Sequence, residues 1–487
     1  MKLPALGVGL TYFSGIDTVL ESHGDLVGVI EVEPQTLWYR TAEGFRIDRP
    51  TLDRIRSFPA AKLLHGIGFP VGGVRPPDPS QVPPLLQMTA ELSPPWMSEH
   101  LSFNEVEGPD GRFKTGFLLP PRQTRAGVAA AVASIRAMAG AMPVPLAVET
   151  GVSYLRRRSD EMTDGEFVAA VVEAADCGIL LDLHNLWANE RNGRQPVEEF
   201  LDHIPLERVW EVHLAGGFEH RGYWLDSHSG PVQEPLLELV RRILPRLPHL
   251  RALIFELFPA YVARVGLDFF RPQLEELQRL WDLCGTRVTP VHVPARSYFG
   301  PEESDDPQPS PREWEDTLGA LVVGRSPDKP LGAEMAADPG LLVIQELLGE
   351  FRASMVAAAF PLTSRYLFLT IGDEEFRKLL REFWRSAPPR PFASDEAAAF
   401  GRYLATVLLE LPYLQNVLAF EQAVVATLVD GEYRKVPFEW DPLPLLRRLG
   451  EGVLPENIDR GDFVIEVTPD EQSGAEGSLP PMQQVLH

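Results

Sequence analysis

Between Val209 and Val232 the chain reads VWEVHLAGGFEHRGYWLDSHSGPV, with Glu211 two residues before His213 and Asp226 two residues before His228. On a strand, a spacing of two puts both side chains on one face. Carboxylates and imidazoles in so apolar a stretch are costly to bury unless protons or a metal ion meet them. Groups of the same kind recur along the chain: His65 in LHG, His100 in SEH, Glu149 in VET, Asp182 and His184 in LDLHN, and Glu256 in FEL. Imidazole and carboxylate donors without thiolate suit iron, manganese or zinc rather than calcium or copper(I). Together, His65, His100, His184, His213, His228, Glu149, Asp182, Asp226 and Glu256 outnumber the about four to six donors that one ion takes. More than one metal, bridged by a carboxylate, is the economical arrangement. Such a centre can generate hydroxide for hydrolysis, hold an enediol for isomerisation, or activate oxygen if the metal is iron. Spacing leaves all three open.

The elements that must position these groups alternate between strand and helix up to about residue 290. Strands are expected at Leu6–Leu10, Val27–Glu33, Lys62–Phe69, Trp96–Phe103, Leu146–Val152, Gly178–Asn185, Val209–Ala215 and Leu253–Phe258. Helical stretches fall between them, at Gln123–Ala139, Thr163–Asp176, Pro196–Ile204 and Glu234–Leu244. That count and length match an α/β fold of the (β/α)8 TIM-barrel type. A doubly wound sheet is the alternative, but no glycine-rich phosphate loop follows the first strand. In a barrel the strand ends converge on one rim, so the candidate ligands would meet there. Of the 11 histidines, the remaining six (His23, His203, His220, His249, His292 and His487) fall in helices, loops or the tail and are expected to be exposed. The proline-rich segment 70–95 is expected to be a long loop after the third strand.

Residues 291–312, rich in proline, serine and acids, are expected to be a linker. Beyond it, apolar spacings of three and four predict helices at Glu313–Val322, Gly340–Ala359, Asp373–Ser386, Ser394–Leu411 and Leu414–Leu428. DGEY at 430–433 looks like a turn between short strands, with Phe463–Val467 another strand and 469–487 a disordered tail. The expected domains are thus 1–290 and 313–468.

With 45 basic and 69 acidic residues the formal charge is −24, a poor match for duplex nucleic acid. Two cysteines, Cys177 and Cys284, cannot make a disulfide framework, and no CxxC zinc motif occurs. The N-terminal MKLPALGVGLTYF lacks the apolar core of a signal peptide, and no apolar run approaches the roughly 20 residues of a membrane span. A reducing cytoplasm is the expected setting.

The succession GVGL, EVEP, HGIGF, SEHLSFN, VET, LLDLHN, EVHLAGG, LDSHSGPV and FELF resembles the multinuclear non-haem iron oxidases that modify ribosomally made peptides, the MbnB, TglH and ChrH type. The resemblance runs from residue 4 to about 285. It implies two or three irons, O2 as co-substrate, and oxidation of a cysteine in a precursor peptide. Matched motif by motif, it implies His65, His100, Glu149, Asp182, His213, Asp226, His228 and Glu256 as metal ligands. Glu149, Asp182 and His213 would sit at the catalytic centre, and Glu211 one pleat deeper. Two positions depart from the pattern. Where relatives have Asp-x-Asn-Asn, this chain has Asp182-Leu183-His184-Asn185, so His184 and Asn185 compete for one ligand role, with Asn185 the better match and His184 a close second. Where relatives have Glu-Asn in the fifth strand, this chain has Glu149-Thr150.

AAFPLTSRYL, DEEFRKLLREFW, AAAFGRYL and LPYLQNVLAFEQAV in turn resemble the partner proteins encoded beside these oxidases, the MbnC-like group, from 314 to about 430. This second resemblance implies an oxidase fused to its peptide-recruiting partner, with the leader-gripping part after 430 shortened. The alternative within enzymes is a divalent-metal isomerase or hydrolase of the sugar isomerase or endonuclease type.

Overall fold

The structure is a computed structural model that describes residues 3–76, 78–109, 111–284, 309–325, 330–407 and 410–469. Eight parallel strands close into a barrel: Gly7–Thr11, Val29–Val32, Ala61–Gly66, Met97–His100, Leu146–Glu149, Gly178–Asp182, Val209–Ala215 and Ala252–Glu256. Each strand pairs with its neighbours in sequence, and the eighth closes onto the first with Gly7 opposite Ala252. The TIM barrel is therefore observed. Closure requires close approach at Gly9, where a Cβ would stand 2.3 Å from the Val29 carbonyl oxygen.

Side-chain alternation sorts the strands into two faces. Ile30, Leu64, Met97, Val148, Ile179, Leu181, Val212, Leu214, Leu253 and Phe255 belong to the main core, which includes the surrounding helices. The opposite set starts apolar: Val29, Leu63, Trp96, Ala147, Ala252 and Ile254 pack together with Leu3 and plug the N-terminal end. Two residues further along the same strands stand Glu31, His65, Ser98, Glu149 and Glu256. Polar side chains thus gather in the interior at the C-terminal end of the barrel, with Glu211 one step deeper beside Trp96, and that is the end at which this fold places its chemistry.

Helix ends follow local rules. Thr163 and Glu166 form a reciprocal capping box that starts the helix Asp164–Ala175. Three expectations need correction. Segment 70–95 is not all loop: Val82–Leu92 is a helix, and Pro83 and Pro84 are tolerated because the first turn has no intrahelical N–H to lose. The sixth strand ends at Asp182, where Leu183–Arg191 turns helical, so residues 182–185 do not alternate as a strand. The turn at 430–433 joins a helix to a strand: Leu414–Asp430 ends at Gly431, with φ of 76°, and Arg434–Trp440 follows.

The C-terminal region is mostly helical, with helices Pro311–Val322, Pro330–Ala336, Pro339–Ala359, Pro361–Ser386, Ala393–Leu404 and Leu414–Asp430. The helix Pro361–Ser386 is broken at Gly372, whose φ is 82°. Arg434–Trp440 pairs with Arg460–Val467 as an antiparallel ribbon flanking the helix Pro442–Gly450. Of the expected linker, only 309–312 is described, and helix starts there at Pro311; of the expected tail, only residue 469 is. Among the described residues no single helix is long and apolar enough to cross a membrane.

These helices sit on the C-terminal rim. One core joins Phe103, Val106, Leu119, Tyr154 and Leu225, from loops after strands four, five and seven, to Trp314, Leu318, Leu341 and Ile344. Buried Glu315 accepts the Val74 amide at 2.8 Å and pairs with Arg75 at 3.3 Å. On the hairpin after strand seven, His220 and Arg221 both reach Glu346, at 2.9 and 2.8 Å. The helical region therefore walls the polar end of the barrel.

Candidate metal centre

All ten nominated residues come to this rim, linked by contacts that run around the barrel mouth. His65 and His100 approach one carboxylate oxygen, Glu149 Oε2, at 3.3 and 2.6 Å. Their two Nε2 atoms lie 3.2 Å apart, a distance at which imidazoles repel unless a proton or cation stands between them. Ser98 Oγ, 2.9 Å from His65 Nδ1, holds that ring in orientation. Across the mouth, His213 Nδ1 lies 3.2 Å from Glu256 Oε2, and His228 Nε2 lies 3.6 Å from the same oxygen. His228 Nε2 is 2.7 Å from Asp226 Oδ1, and His184 Nδ1 is 3.1 Å from it. Asn185 Nδ2 donates to Glu149 Oε1 at 3.4 Å.

Donor atoms within 4.8 Å of one another form four groups: His65–His100–Glu149, Glu149–Asp182–His213, Glu31–His213–Glu256, and Asp182–His228–Glu256. Glu149, Asp182, His213 and Glu256 each belong to two of them. Overlap of this kind is what carboxylates bridging more than one ion require. The protein itself leaves donors unsatisfied. Glu149 Oε2, Asp182 Oδ2, Asn185 Oδ1, His213 Nδ1 and His228 Nε2 are buried without an aligned hydrogen-bond partner, although several have charged atoms close by. Short approaches without hydrogen-bond alignment fit side chains aimed at common points between them. The donor set, imidazole and carboxylate with one amide oxygen, fits iron, as it fits manganese or zinc.

Burial and mutual charge set the protonation of the polypeptide by itself. Burial opposes charging His65, but Glu31 and Glu149 outweigh it and push the ring up to about 10. His228 is pushed up to about 10 in the same way, by Asp226 and Glu256 against burial. Asp182 is raised well above the usual carboxylate range, by burial first and then by Asp226, Glu149 and Glu256. Glu149 is held well below it because His100 and His65 outweigh the cost of burial. So the chain stores protons where cations would otherwise neutralise the carboxylates.

Two features, Glu31 and Glu33, escaped the sequence reasoning. Glu31, in the EVEP motif, lies 3.2 Å from His213 Nε2 across the barrel and accepts from Thr11 Oγ1 at 3.1 Å. Its two-residue offset from inward-facing Val29 was the available signal. Glu33 also faces the cluster, where burial raises its carboxyl and His65, Glu256, His228 and His100 are its charged surroundings. Thr150 Oγ1 accepts the Asp182 amide at 2.9 Å, giving that position a role in holding the sixth strand end. Glu211 lies deeper, accepting from the Trp96 indole at 2.9 Å and standing 3.8 Å from His213. Burial and Glu31 push it up to about 7. Of the other described histidines, His220 and His249 are exposed, while His23 and His203 are half-buried.

Residues 6–257 match the model of the RiPP precursor modification enzyme MbnB/TglH/ChrH, just over half of the chain. The chain belongs to this family. UPF0276 proteins are its curated relatives. That of Streptomyces avermitilis is 33% identical over 199 residues, covering 40% of this chain and 41% of the relative. That of Chromobacterium violaceum is 34% identical over 187 residues, 38% of this chain and 66% of the relative. An Anaeromyxobacter relative is 30% identical over 230 residues, 46% of this chain and 80% of the relative. The match therefore spans under half of the first relative. Among solved structures, D-psicose 3-epimerase from Clostridium cellulolyticum is similar at 11% identity and a TM-score of 0.37, over 57% of this chain and 97% of that one. Endonuclease IV from Thermus thermophilus is similar at 20% identity and a TM-score of 0.35, over 56% and 100%. The MbnB/TglH/ChrH stretch contains every candidate ligand, from Glu31 to Glu256.

Proposed function

We propose that this MbnB/TglH/ChrH-family chain is a multinuclear non-haem iron oxidase that uses O2 to modify cysteine in a ribosomally made precursor peptide. The observation that carries the reading is the overlap of donor groups at Glu149, Asp182, His213 and Glu256. A single-ion hydrolase needs no such sharing. His65, His100 and Glu149 would hold one iron, with Asp182, His213, Glu256, Glu31, Asn185, Asp226 and His228 completing the other positions. Iron bound there supplies one-electron chemistry with dioxygen.

The chain's own contributions are geometric and electrostatic. Ser98 and Thr150 fix His65 and the Asp182 backbone, and the Trp96 indole holds Glu211 beneath His213. Phe258, 44% exposed, stands at the mouth with its ring tilted against that of His228, the centroids 4.4 Å apart. In this reading residues 313–468 recruit the substrate peptide, as a partner domain fused in cis to the barrel of residues 1–290. Its support is the rim contact of Glu315, Trp314 and Glu346 with the loops that surround the donors.

The test is aerobic incubation of the iron-loaded protein with cysteine-containing precursor peptides, read by mass spectrometry. A mass change at cysteine that requires iron and O2 is expected. Full iron loading with no mass change across such peptides, beside hydrolytic or isomerase turnover with zinc, would sink the oxidase reading.

A further inference from the structure

His184 stands among the candidate ligands, yet both of its ring nitrogens are already engaged. Nε2 lies 3.2 Å from Trp224 Nε1, and an indole N–H can only donate, so Nε2 is the acceptor. A neutral imidazole that accepts at Nε2 carries its hydrogen on Nδ1, and Nδ1 lies 3.1 Å from Asp226 Oδ1. The surroundings are built for this contact. A Cβ on Gly217 would come within 2.6 Å of Trp224 Nε1 and 2.7 Å of His184 Nε2. Trp224 is itself pinned: its amide donates to Asn192 Oδ1 at 2.7 Å, its carbonyl accepts from Asn192 Nδ2 at 3.0 Å, and Arg191 stacks 4.5 Å from its ring. Asn185 presents the opposite arrangement. Its Nδ2 donates to Glu149 Oε1 and to the Thr150 carbonyl, each at 3.4 Å, which leaves Oδ1 buried and without a partner.

We propose that His184 is a positioning residue and not a ligand. Trp224 selects its tautomer, the Nδ1–H orients Asp226, and Asn185 Oδ1 is the donor that this pair of residues contributes. The proposal rests on the metal-centre reading above. An outer hydrogen bond of this kind fixes the rotation of a ligating carboxylate before the metal arrives, and its loss typically weakens metal affinity about 10–100-fold without removing the site.

The experiment is titration of the full chain with Co(II), followed by absorption, for wild type, His184→Ala, His184→Asn, Trp224→Phe and Asp226→Ala. His184→Ala should bind as many equivalents as wild type, one of them roughly 10–100-fold more weakly. His184→Asn keeps an N–H donor toward Asp226 and should recover most of that loss, while Trp224→Phe, which keeps the imidazole, should weaken the same equivalent severalfold. If His184→Ala lost an equivalent that saturating Co(II) did not restore, as expected for Asp226→Ala, His184 would be a ligand and the proposal would fail. Wild-type affinity in both His184→Ala and Trp224→Phe would overturn it too; Trp224→Phe alone carries the test should His184→Ala fail to fold. A wild-type chain that binds no Co(II) or Fe(II) would instead overturn the metal-centre reading.

Discussion

Asp182 and Asn185 share a bond that ties the fold to the site. Asp182 Oδ1 accepts the Asn185 amide at 2.7 Å and so caps the helix Leu183–Arg191, while Oδ2 is buried with no partner. One oxygen orders the backbone and the other faces the cluster. The cap itself is worth about 1 kcal/mol, whereas an unneutralised carboxylate among Glu149, Asp226 and Glu256 is repelled.

Asp182→Asn should therefore separate stability from metal binding. An asparagine keeps the cap and removes the repulsion, so the metal-stripped variant should melt at or above the wild-type temperature while its iron content falls by an equivalent or more. Thermal melts with metal analysis read both quantities, and a variant with wild-type iron content would count against Asp182 as a ligand.

Glu149→Ala and Glu31→Gln should each lower iron per chain, because each removes an anionic donor from the cluster. His249→Ala and His220→Ala should leave it unchanged, since both rings are exposed and away from the donors. Equal losses from both sets would dismiss the assignment of the strand ends.

Metal loading should release protons. His65 and His228, both held up to about 10, are charged at neutral pH in the polypeptide alone, and Asp182 is also raised. A cation takes the place of those protons, so apparent affinity should fall as pH is lowered. Mixing metal-stripped protein with Fe(II) under anaerobic, weakly buffered conditions should acidify the solution. Stoichiometric binding with no proton release would contradict this picture.

At the contact between helical region and barrel, burial pushes Glu315 from 4.5 up to about 7 despite Arg75 beside it. A carboxyl raised on folding contributes stability that is full below its unfolded value and lost as pH rises through the folded one. Glu315→Gln cannot ionise. Its stability relative to wild type should thus improve between about pH 5 and 8, by up to about 3 kcal/mol. Denaturation midpoints at a series of pH values test this, and a gap independent of pH would rule it out.

Strand periodicity and motif order were enough to foresee a barrel and the gathering of ten polar residues at one rim. His213 illustrates why: Val209–Ala215 is apolar apart from Glu211 and His213, and a period of two puts that pair on one face. Helix Val82–Leu92 was not legible, because its prolines signal a loop unless they are known to occupy a first turn.

By itself, then, the sequence determined that strands three to eight carry polar residues toward one end, since local geometry alone sets side-chain alternation; Glu31 on the second strand was not among them. Only the tertiary structure decided who meets whom across the barrel. Glu31 and His213, 182 residues apart, become neighbours through closure. Likewise, the end of the sixth strand at Asp182 turns His184 toward Trp224 and Asp226, and Asn185 toward Glu149. Contacts of that kind depend on where strands end and how loops fold back over the rim, and no local spacing encodes either.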